Sequence, residues 1–151
     1  MINTIISFSG KYRFLSNFYD FPIEVNGILY PTSEHAYQAQ KTLSLSERNH
    51  IAKLKTPGLA KRYGQKVTLR PHWDTVRIPV MFNILQIKFA DEKLSSKLLN
   101  TNDAVLVEGN AWGNRFWGAV YEKNDWCGQN HLGVLLMHIR QEKQVYGSLH
   151  S

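Results

Sequence analysis

The residues best suited to chemistry lie in one short stretch, residues 31–43, which is predicted to be a helix. At 100° per residue, one side of this helix carries four polar side chains: Glu34, Tyr37, Gln38 and Lys41. A carboxyl group can donate or accept a proton. An amine can bind an anion, and it becomes a nucleophile when burial lowers its pKa. This face is therefore a candidate for a pocket wall.

The spacing has a simpler explanation, in which the polar side of the helix is solvated and does no chemistry. The opposite side carries Ala36, Ala39 and Leu43, which are expected to pack on the core. Because charge spacing alone is a weak signal, it favours the solvated face. Either Thr32 or Ser33 is suited to cap the helix.

The composition predicts one domain over residues 1–151, with a core at about 6–142. Hydrophobic residues make up 43% of the chain, and no apolar run is long enough for a membrane span. Cys127 is the only cysteine, which excludes an internal disulfide and fits a cytoplasmic protein. The net charge of +6 favours anionic partners such as phosphorylated metabolites, nucleotides or nucleic acid.

Local signals predict the elements that position these residues. Asn26-Gly27 is typical of a hairpin turn, here between strands at 21–25 and 28–30. Helices are expected at 46–54, capped by Ser46, and then at 57–64, 74–89, 91–99 and 130–143, with a frayed tail after Tyr146. Pro79 should kink or divide its helix.

Strands are expected at 4–8, 104–107 and 116–121, the last two forming a hairpin, with an extended stretch at 66–69 and a loop at 125–129. The sum is an α+β fold, in which short, mostly antiparallel strands are surrounded by about five or six helices.

Common cofactor and metal motifs are absent from the sequence. The six histidines form no HExxH or i,i+4 pair, and neither GxGxxG nor a P-loop occurs. No GxSxG motif supports a serine hydrolase. We therefore expect neither a metal nor an organic cofactor.

A second polar and aromatic group lies in the last third of the chain, interleaved with glycines: Asn110, Trp112, Asn114, Trp117, Asn130 and Arg140. Glycine beside tryptophan permits close approach of a flat ligand or of another segment. The simpler alternative is a tight hairpin whose tryptophans fill the core. Arg140 is suited to bind phosphate bidentately or to pair with a carboxylate.

Five motifs occur in order along the chain: Phe14-Leu15-Ser16-Asn17-Phe18; Ser33-Glu34-His35-Ala36-Tyr37-Gln38-Ala39-x-Lys41; Arg70-x-x-Trp73; Gly109-Asn110-x-Trp112-Gly113-x-x-x-Trp117-Gly118; and Gly128-x-Asn130-x-Leu132-Gly133-x-x-Leu136-Met137-x-x-Arg140. Each motif is weak alone. Together they resemble the NADAR family, which includes the YbiA-like N-glycosidases.

The resemblance implies a compact α+β enzyme that cleaves an N-glycosidic bond between ribose and a base-like nitrogen. It implies one of two substrate classes: phosphorylated intermediates of riboflavin biosynthesis, or ADP-ribose attached to guanine in nucleic acid, where cleavage restores the base. It assigns Glu34 and Lys41 to catalysis and Trp73 and Trp117 to the pocket. We hypothesise that four asparagines bind ribose or organise loops: Asn17, Asn110, Asn114 and Asn130. Trp112 and Arg140 complete the predicted substrate-binding set.

One position departs from the family pattern, in which aspartate is common where this chain has Asn114. If that carboxylate takes part in the reaction, activity is weakened; if it only holds a turn, asparagine is harmless. The alternative to an enzyme is therefore a catalytically weak module that binds ADP-ribose or a nucleotide. A third hypothesis is a nucleic-acid-binding protein that uses its positive charge.

Overall fold

The computed structural model describes residues 3–150, with side chains described as far as Gly147. The strands in chain order are β1 Thr4–Ile5, β2 Ile23–Val25, β3 Ile28–Tyr30, β4 Val105–Leu106, β5 Val120–Glu122 and β6 Asp125–Cys127. The helices are α1 Ser33–Ala39, α2 Leu45–Ala52, α3 Pro57–Gly64, α4 Trp73–Lys88, α5 Glu92–Leu99 and α6 His131–His150, preceded by a 3₁₀ helix over Gly10–Leu15. This arrangement confirms the predicted α+β class.

The chain forms two compact units. Asn17–Ala90 makes one, here called the α1 unit; the residues up to Ser16 and those from Asp91 onward make the other, the α6 unit. The single domain predicted over the whole chain stays a prediction. None of the helices in the described part of the chain is long and apolar enough to cross a membrane.

The α1 unit opens with the predicted hairpin. β2 and β3 are antiparallel, with Ile23 opposite Tyr30 and Val25 opposite Ile28. Asn26 and Gly27 both have positive φ, at 51° and 82°, as a tight two-residue hairpin turn requires. The hairpin ends where α1 begins.

Helix α1 is buried at every position from Ser33 to Ala39. Thr32 caps it by accepting a hydrogen bond from the backbone N–H of His35 at 3.1 Å. The His35 ring lies between Thr32, 2.8 Å from Nδ1, and the carbonyl oxygen of Leu54, 2.9 Å from Nε2. Burial lowers the pKa of His35. These bonds fix α1 inside the unit.

Two expectations about the segment after α1 were wrong. The helix ends at Ala39, so Leu43 lies outside it and is exposed rather than packed. Helix α2 is capped two residues earlier than predicted, because Ser44, not Ser46, accepts from the N–H of Glu47. The extended stretch predicted at 66–69 is not part of a sheet within the described residues, and the N–H of Thr68 donates to the Glu47 carboxylate.

Helix α3 begins and ends as predicted, with Thr56 as its cap and Pro57 in its first turn. Helix α4, however, is not divided at Pro79 and runs unbroken from Trp73 to Lys88. One proline removes a single hydrogen bond, whereas burial of Met81, Ile84 and Leu85 holds the rest of the helix in place.

In the α6 unit, the hairpin predicted over 104–121 was wrong. β4 pairs in parallel with β1, with Thr4 opposite Val105 and Ile5 opposite Leu106. Residues 115–118 cannot form a strand partner for β4, because their carbonyl oxygens accept from the backbone N–H groups of residues 129–132 at the start of α6. The unsatisfied N–H groups of a helix start therefore compete for this segment.

The remaining strands form an antiparallel pair that the sequence did not indicate. β5 pairs with β6, so residues 125–127, expected as loop, are a strand. β1 and β4 are shorter than predicted, and α6 is longer, with helical backbone through His150. The frayed tail predicted after Tyr146 falls largely outside the described side chains. Leu132, Leu136 and Ile139 of α6 are buried.

Candidate active site

The Glu34 carboxyl lies in the interior of the α1 unit. Its residue is only 8% exposed, and Tyr37 and Gln38 on the same side of the helix are 5% and 4% exposed. The solvated face favoured by spacing alone was therefore wrong. Nε2 of Gln38, one turn along the helix, donates to Glu34 Oε1 at 2.7 Å.

Burial changes the acid chemistry of Glu34. Removal from water disfavours the charged form and raises the pKa of the carboxyl above its ordinary value. The hydrogen bond from Gln38 and the positive charges of Lys61 and Lys41 oppose this effect without overcoming it. Glu34 therefore retains its proton to a higher pH than an exposed glutamate does.

Lys41 lies just beyond the end of α1 and is half-buried. Its amine and the Glu34 carboxyl affect each other electrostatically. That attraction alone would keep Lys41 charged. Desolvation outweighs it, however, and lowers the pKa of Lys41, with the like charges of Lys61 and Arg77 acting in the same direction.

An aromatic pair adjoins the lysine. The ring of Tyr37 contacts that of Trp73, with centroids 5.4 Å apart and an angle of 50° between the planes. Nζ of Lys41 lies 5.9 Å from the centroid of Tyr37, within the range of a cation–π contact. The structure thus brings Glu34, Lys41 and Trp73, three of the predicted site residues, into one unit around α1.

Asn17 supports the start of α1. Its backbone oxygen accepts from the N–H of Glu34 at 3.0 Å, and its side-chain Oδ1 accepts from the Ser33 hydroxyl at 3.0 Å. Its Nδ2 lies 3.5 Å from the sulfur of Met81. These contacts position the backbone that carries Glu34; the role of Asn17 in ribose binding stays a prediction.

In the α6 unit, Asn110 and Asn114 organise one loop. Asn110 accepts from the N–H of Asn114 at 2.9 Å and donates to its carbonyl oxygen at 2.8 Å. Oδ1 of Asn114 accepts from the N–H groups of Phe116 and Trp117 at 3.2 and 3.0 Å. Aspartate would accept the same two bonds, so the departure from the family pattern preserves this turn.

Asn130 also contacts backbone rather than open space. It has a positive φ of 50° just before α6. Its Oδ1 accepts from the N–H of Glu108 and its Nδ2 donates to the carbonyl oxygen of Leu106, both at 2.9 Å. These bonds fasten β4 to the start of α6, which is the loop-organising role in the hypothesis rather than the ribose-binding one.

The other three predicted residues differ widely in environment. Arg140 is buried, donates to Oγ1 of Thr101 at 2.8 Å, and has its pKa lowered by desolvation. Trp112 is 69% exposed and fills no core. Trp117 packs edge-on against Phe116, with ring centroids 4.8 Å apart. Their assignment to substrate binding stays a prediction.

Four residues that influence Glu34 or Lys41 were not among the predicted site residues, although the first lay on the predicted polar face: Gln38, Lys61, Gly64 and Arg77. The i,i+4 spacing of Gln38 from Glu34 was a usable signal. Gly64 matters because a Cβ there would lie 2.0 Å from Oε1 of Gln38. Only the fold brings α3 and its Lys61 to α1. No group of three or more metal-binding side chains occurs among the described residues.

The raised pKa of Glu34 predicts a pH-dependent stability difference. Above the ordinary pKa of 4.5, the unfolded chain loses this proton before the folded chain does. The free energy of unfolding therefore falls as pH rises towards the raised pKa of the folded chain. Glu34→Gln carries no such titration. We expect the variant to match the wild type at about pH 4 and to exceed its stability at neutral pH.

Denaturant unfolding at a series of pH values measures this difference, and Glu24→Gln, at an exposed position of β2, is the matched control. A difference that does not change with pH, or a wild type that gains on the variant as pH rises, would show that Glu34 is not held in its neutral form.

Comparison with known proteins identifies the family. The NADAR domain model matches residues 7–143. The chain is 38% identical to N-glycosidase YbiA of Escherichia coli over 151 residues, covering 96% of this chain and 92% of the relative. It is 35% identical to an N-glycosidase of Nostoc punctiforme, covering 87% and 85% of the two chains.

Two further comparisons concern fold and pathway. A riboflavin biosynthesis protein of Vibrio vulnificus is 35% identical to this chain. The aligned region covers 90% of this chain and 37% of that relative. The NMR structure of E. coli YbiA superimposes with a TM-score of 0.81 at 37% identity, covering 97% of this chain and 89% of that one. The relatives' names confirm the predicted enzyme class, hydrolases of N-glycosyl compounds, for this group. The chain belongs to the NADAR domain family.

Proposed function

We propose that this protein is an N-glycosidase that hydrolyses a ribosyl C–N bond in a phosphorylated substrate. The observation that carries the proposal is the buried Glu34 carboxyl with its raised pKa. Two curated relatives named N-glycosidases, at 38% and 35% identity, support the same reaction class.

Ribosyl C–N cleavage makes two demands that Glu34 can meet in turn. The leaving nitrogen needs a proton as the bond breaks, and a carboxyl group that stays protonated can donate it. The sugar then carries positive charge, which the carboxylate left behind stabilises electrostatically. The hydrogen bond from Gln38 holds the same oxygen in place through both stages.

Lys41 has two roles open to it. While charged, it contacts a phosphate or hydroxyl of the substrate, together with the nearby charges of Lys61 and Arg77. As a free amine, it attacks C1 of the ring-opened ribosyl group and forms a Schiff base as the bond from C1 to the base nitrogen breaks. The base leaves with the proton that Glu34 donates, and water then hydrolyses the Schiff base and releases Lys41. The lowered pKa increases the fraction of free amine and supports the second role. Borohydride reduction during turnover separates the two, because only the Schiff base leaves a stable adduct on Lys41.

The relatives favour a riboflavin-pathway intermediate as the substrate. Among them are riboflavin biosynthesis proteins of Vibrio vulnificus and of Zea mays, each containing a region similar to this chain. The charge of +6 supports ADP-ribose on guanine in nucleic acid as a second candidate, because a polyanion is attracted to such a surface.

The catalytically weak binding module is the less favoured function. It rested on the loss of a carboxylate at Asn114. In this structure, Asn114 satisfies two backbone N–H groups of its own loop, and the amide oxygen serves as well as a carboxylate for that purpose.

Turnover of both substrate classes tests the proposal. We expect base release from a phosphoribosylated pyrimidine intermediate. Glu34→Gln and Lys41→Ala should each lose at least about a hundredfold in rate, the lower end of what one acid–base group contributes. Chromatographic product analysis measures the release, with ADP-ribosylated guanosine assayed beside it.

Folded Glu34→Gln or Lys41→Ala protein that kept full activity would refute the mechanism. Tight binding of either compound without release of a base would favour the binding module instead. Steeply salt-dependent binding of unmodified DNA that Lys41→Ala leaves intact would favour the nucleic-acid-binding hypothesis.

Gly64 provides a test of how Glu34 is held. Its substitution by alanine would push the Gln38 amide away from Glu34, because the new methyl would lie 2.0 Å from Gln38 Oε1. The hydrogen bond from Gln38 lowers the pKa of Glu34. Loss of this bond should therefore raise that pKa, shift the pH–rate profile to higher pH and reduce kcat by about tenfold.

Gly58→Ala, in the same helix as Gly64, is the matched control. Its new methyl would meet only Thr56 Oγ1, at 3.9 Å. An unchanged pH–rate profile in Gly64→Ala would show that Gln38 does not position the acid.

A further inference from the structure

The α1 unit contains a cleft of about 280 Å³ to which Glu34, Lys41 and Trp73 do not contribute. Its walls come from the end of β2 and the β2–β3 turn, the residue that follows α1, the segment before α4 and one face of α4. A cleft of this size, at the lower end of ligand pockets, fits a small metabolite rather than a nucleotide.

The floor of the cleft is apolar. Val25 and Ile84, which are 6% and 0% exposed, form its buried part. Val76, Pro79 and Val80 of α4 extend the apolar lining towards the surface. Contact with such a floor favours a ligand that has a compact hydrocarbon part.

The rim carries one charge. Arg70 is half-buried, and it is the only charged residue among those lining the cleft. Nη1 of Arg70 approaches the carbonyl oxygen of Gln40 at 3.4 Å, a long bond that leaves most of its donors available. Within the described residues Arg70 has no ion pair. The guanidinium is therefore placed to bind an anion.

Three residues with side-chain amides also line the cleft. Asn26 and Asn83 are exposed at the rim, and Gln40 is buried in the wall with its own Nε2 donating to Ala36. An arginine beside amides, with no carboxylate among the lining residues, is the donor set for a planar or tetrahedral oxyanion.

We propose that this cleft is a second ligand site, which binds a small anion with a short apolar body, its carboxylate or phosphate held by Arg70. This site is independent of the proposed N-glycosidase reaction. It adjoins that centre through the backbone, because the N–H of Arg70 donates to the carbonyl oxygen of Lys41 at 2.7 Å.

Titration of the full chain with small probes, followed by ¹H–¹⁵N NMR, tests the site. Isobutyrate and isobutyl phosphate supply the anion and the apolar body, isobutyramide lacks the charge, and inorganic phosphate lacks the body. We expect saturable shifts of the side-chain amides of Asn26 and Asn83 and of Arg70 Nε with the first two probes. The stronger of the two identifies the anion class.

Two substitutions make the test specific. Arg70→Gln should weaken isobutyrate or isobutyl phosphate binding by at least about tenfold, the loss expected for one charge-assisted contact. Arg62→Gln, with the same change of charge at an exposed position on α3, should leave it unaffected. Asn83→Asp, at an exposed position, should also weaken it by placing a carboxylate on the rim without disturbing Arg70.

The proposal fails if neither anionic probe gives saturable shifts at the cleft. It also fails if folded Arg70→Gln and Asn83→Asp bind as the wild type does, or if Arg62→Gln weakens binding equally. Persistence of the cleft shifts in Lys41→Ala supports a separate site, whereas their loss would assign the probes to the catalytic centre.

Discussion

Burying a carboxyl group costs free energy unless the group is hydrogen-bonded, and the α1 unit is built around one such group. Glu34 lies on a helix that is buried on all sides, and Gln38 provides its hydrogen bond. Gly64 leaves room for the Gln38 amide. Asn17 holds the first turn of the helix, while His35 ties it to Leu54. The precise placement of this one acid therefore depends on contacts with several surrounding elements.

The same desolvation moves the pKa values of the two central groups towards each other. It raises the pKa of Glu34 and lowers that of Lys41, so both neutral forms become more available than they are in water. A proton donor and an amine nucleophile are the two groups that the proposed reaction uses. Burial thus links packing to chemistry in this site, because a better solvated helix would keep both side chains charged.

Sequence signals predicted the local structure well where a few neighbouring residues decide it. Asn26-Gly27 specified a hairpin, and Thr56-Pro57 specified the start of α3. They failed at 104–121, where the start of α6 takes up the carbonyl groups that a second strand would need. The spacing of Glu34 and Lys41 placed them together but could not reveal their burial, which depends on α3 and α4. Asn130 was predicted from its motif, yet its contacts with Leu106 and Glu108 exist only in the folded chain.

The protonation state of Glu34 tests this mechanism most directly. Infrared difference spectra between the wild type and Glu34→Gln, recorded as pH is raised, isolate the carbonyl stretch of this one carboxyl group. If burial holds Glu34 as an acid, the signal of the protonated carboxyl persists above pH 4.5, the ordinary value for glutamate. Disappearance of that signal at or below the ordinary value would contradict the central claim that burial holds Glu34 as an acid.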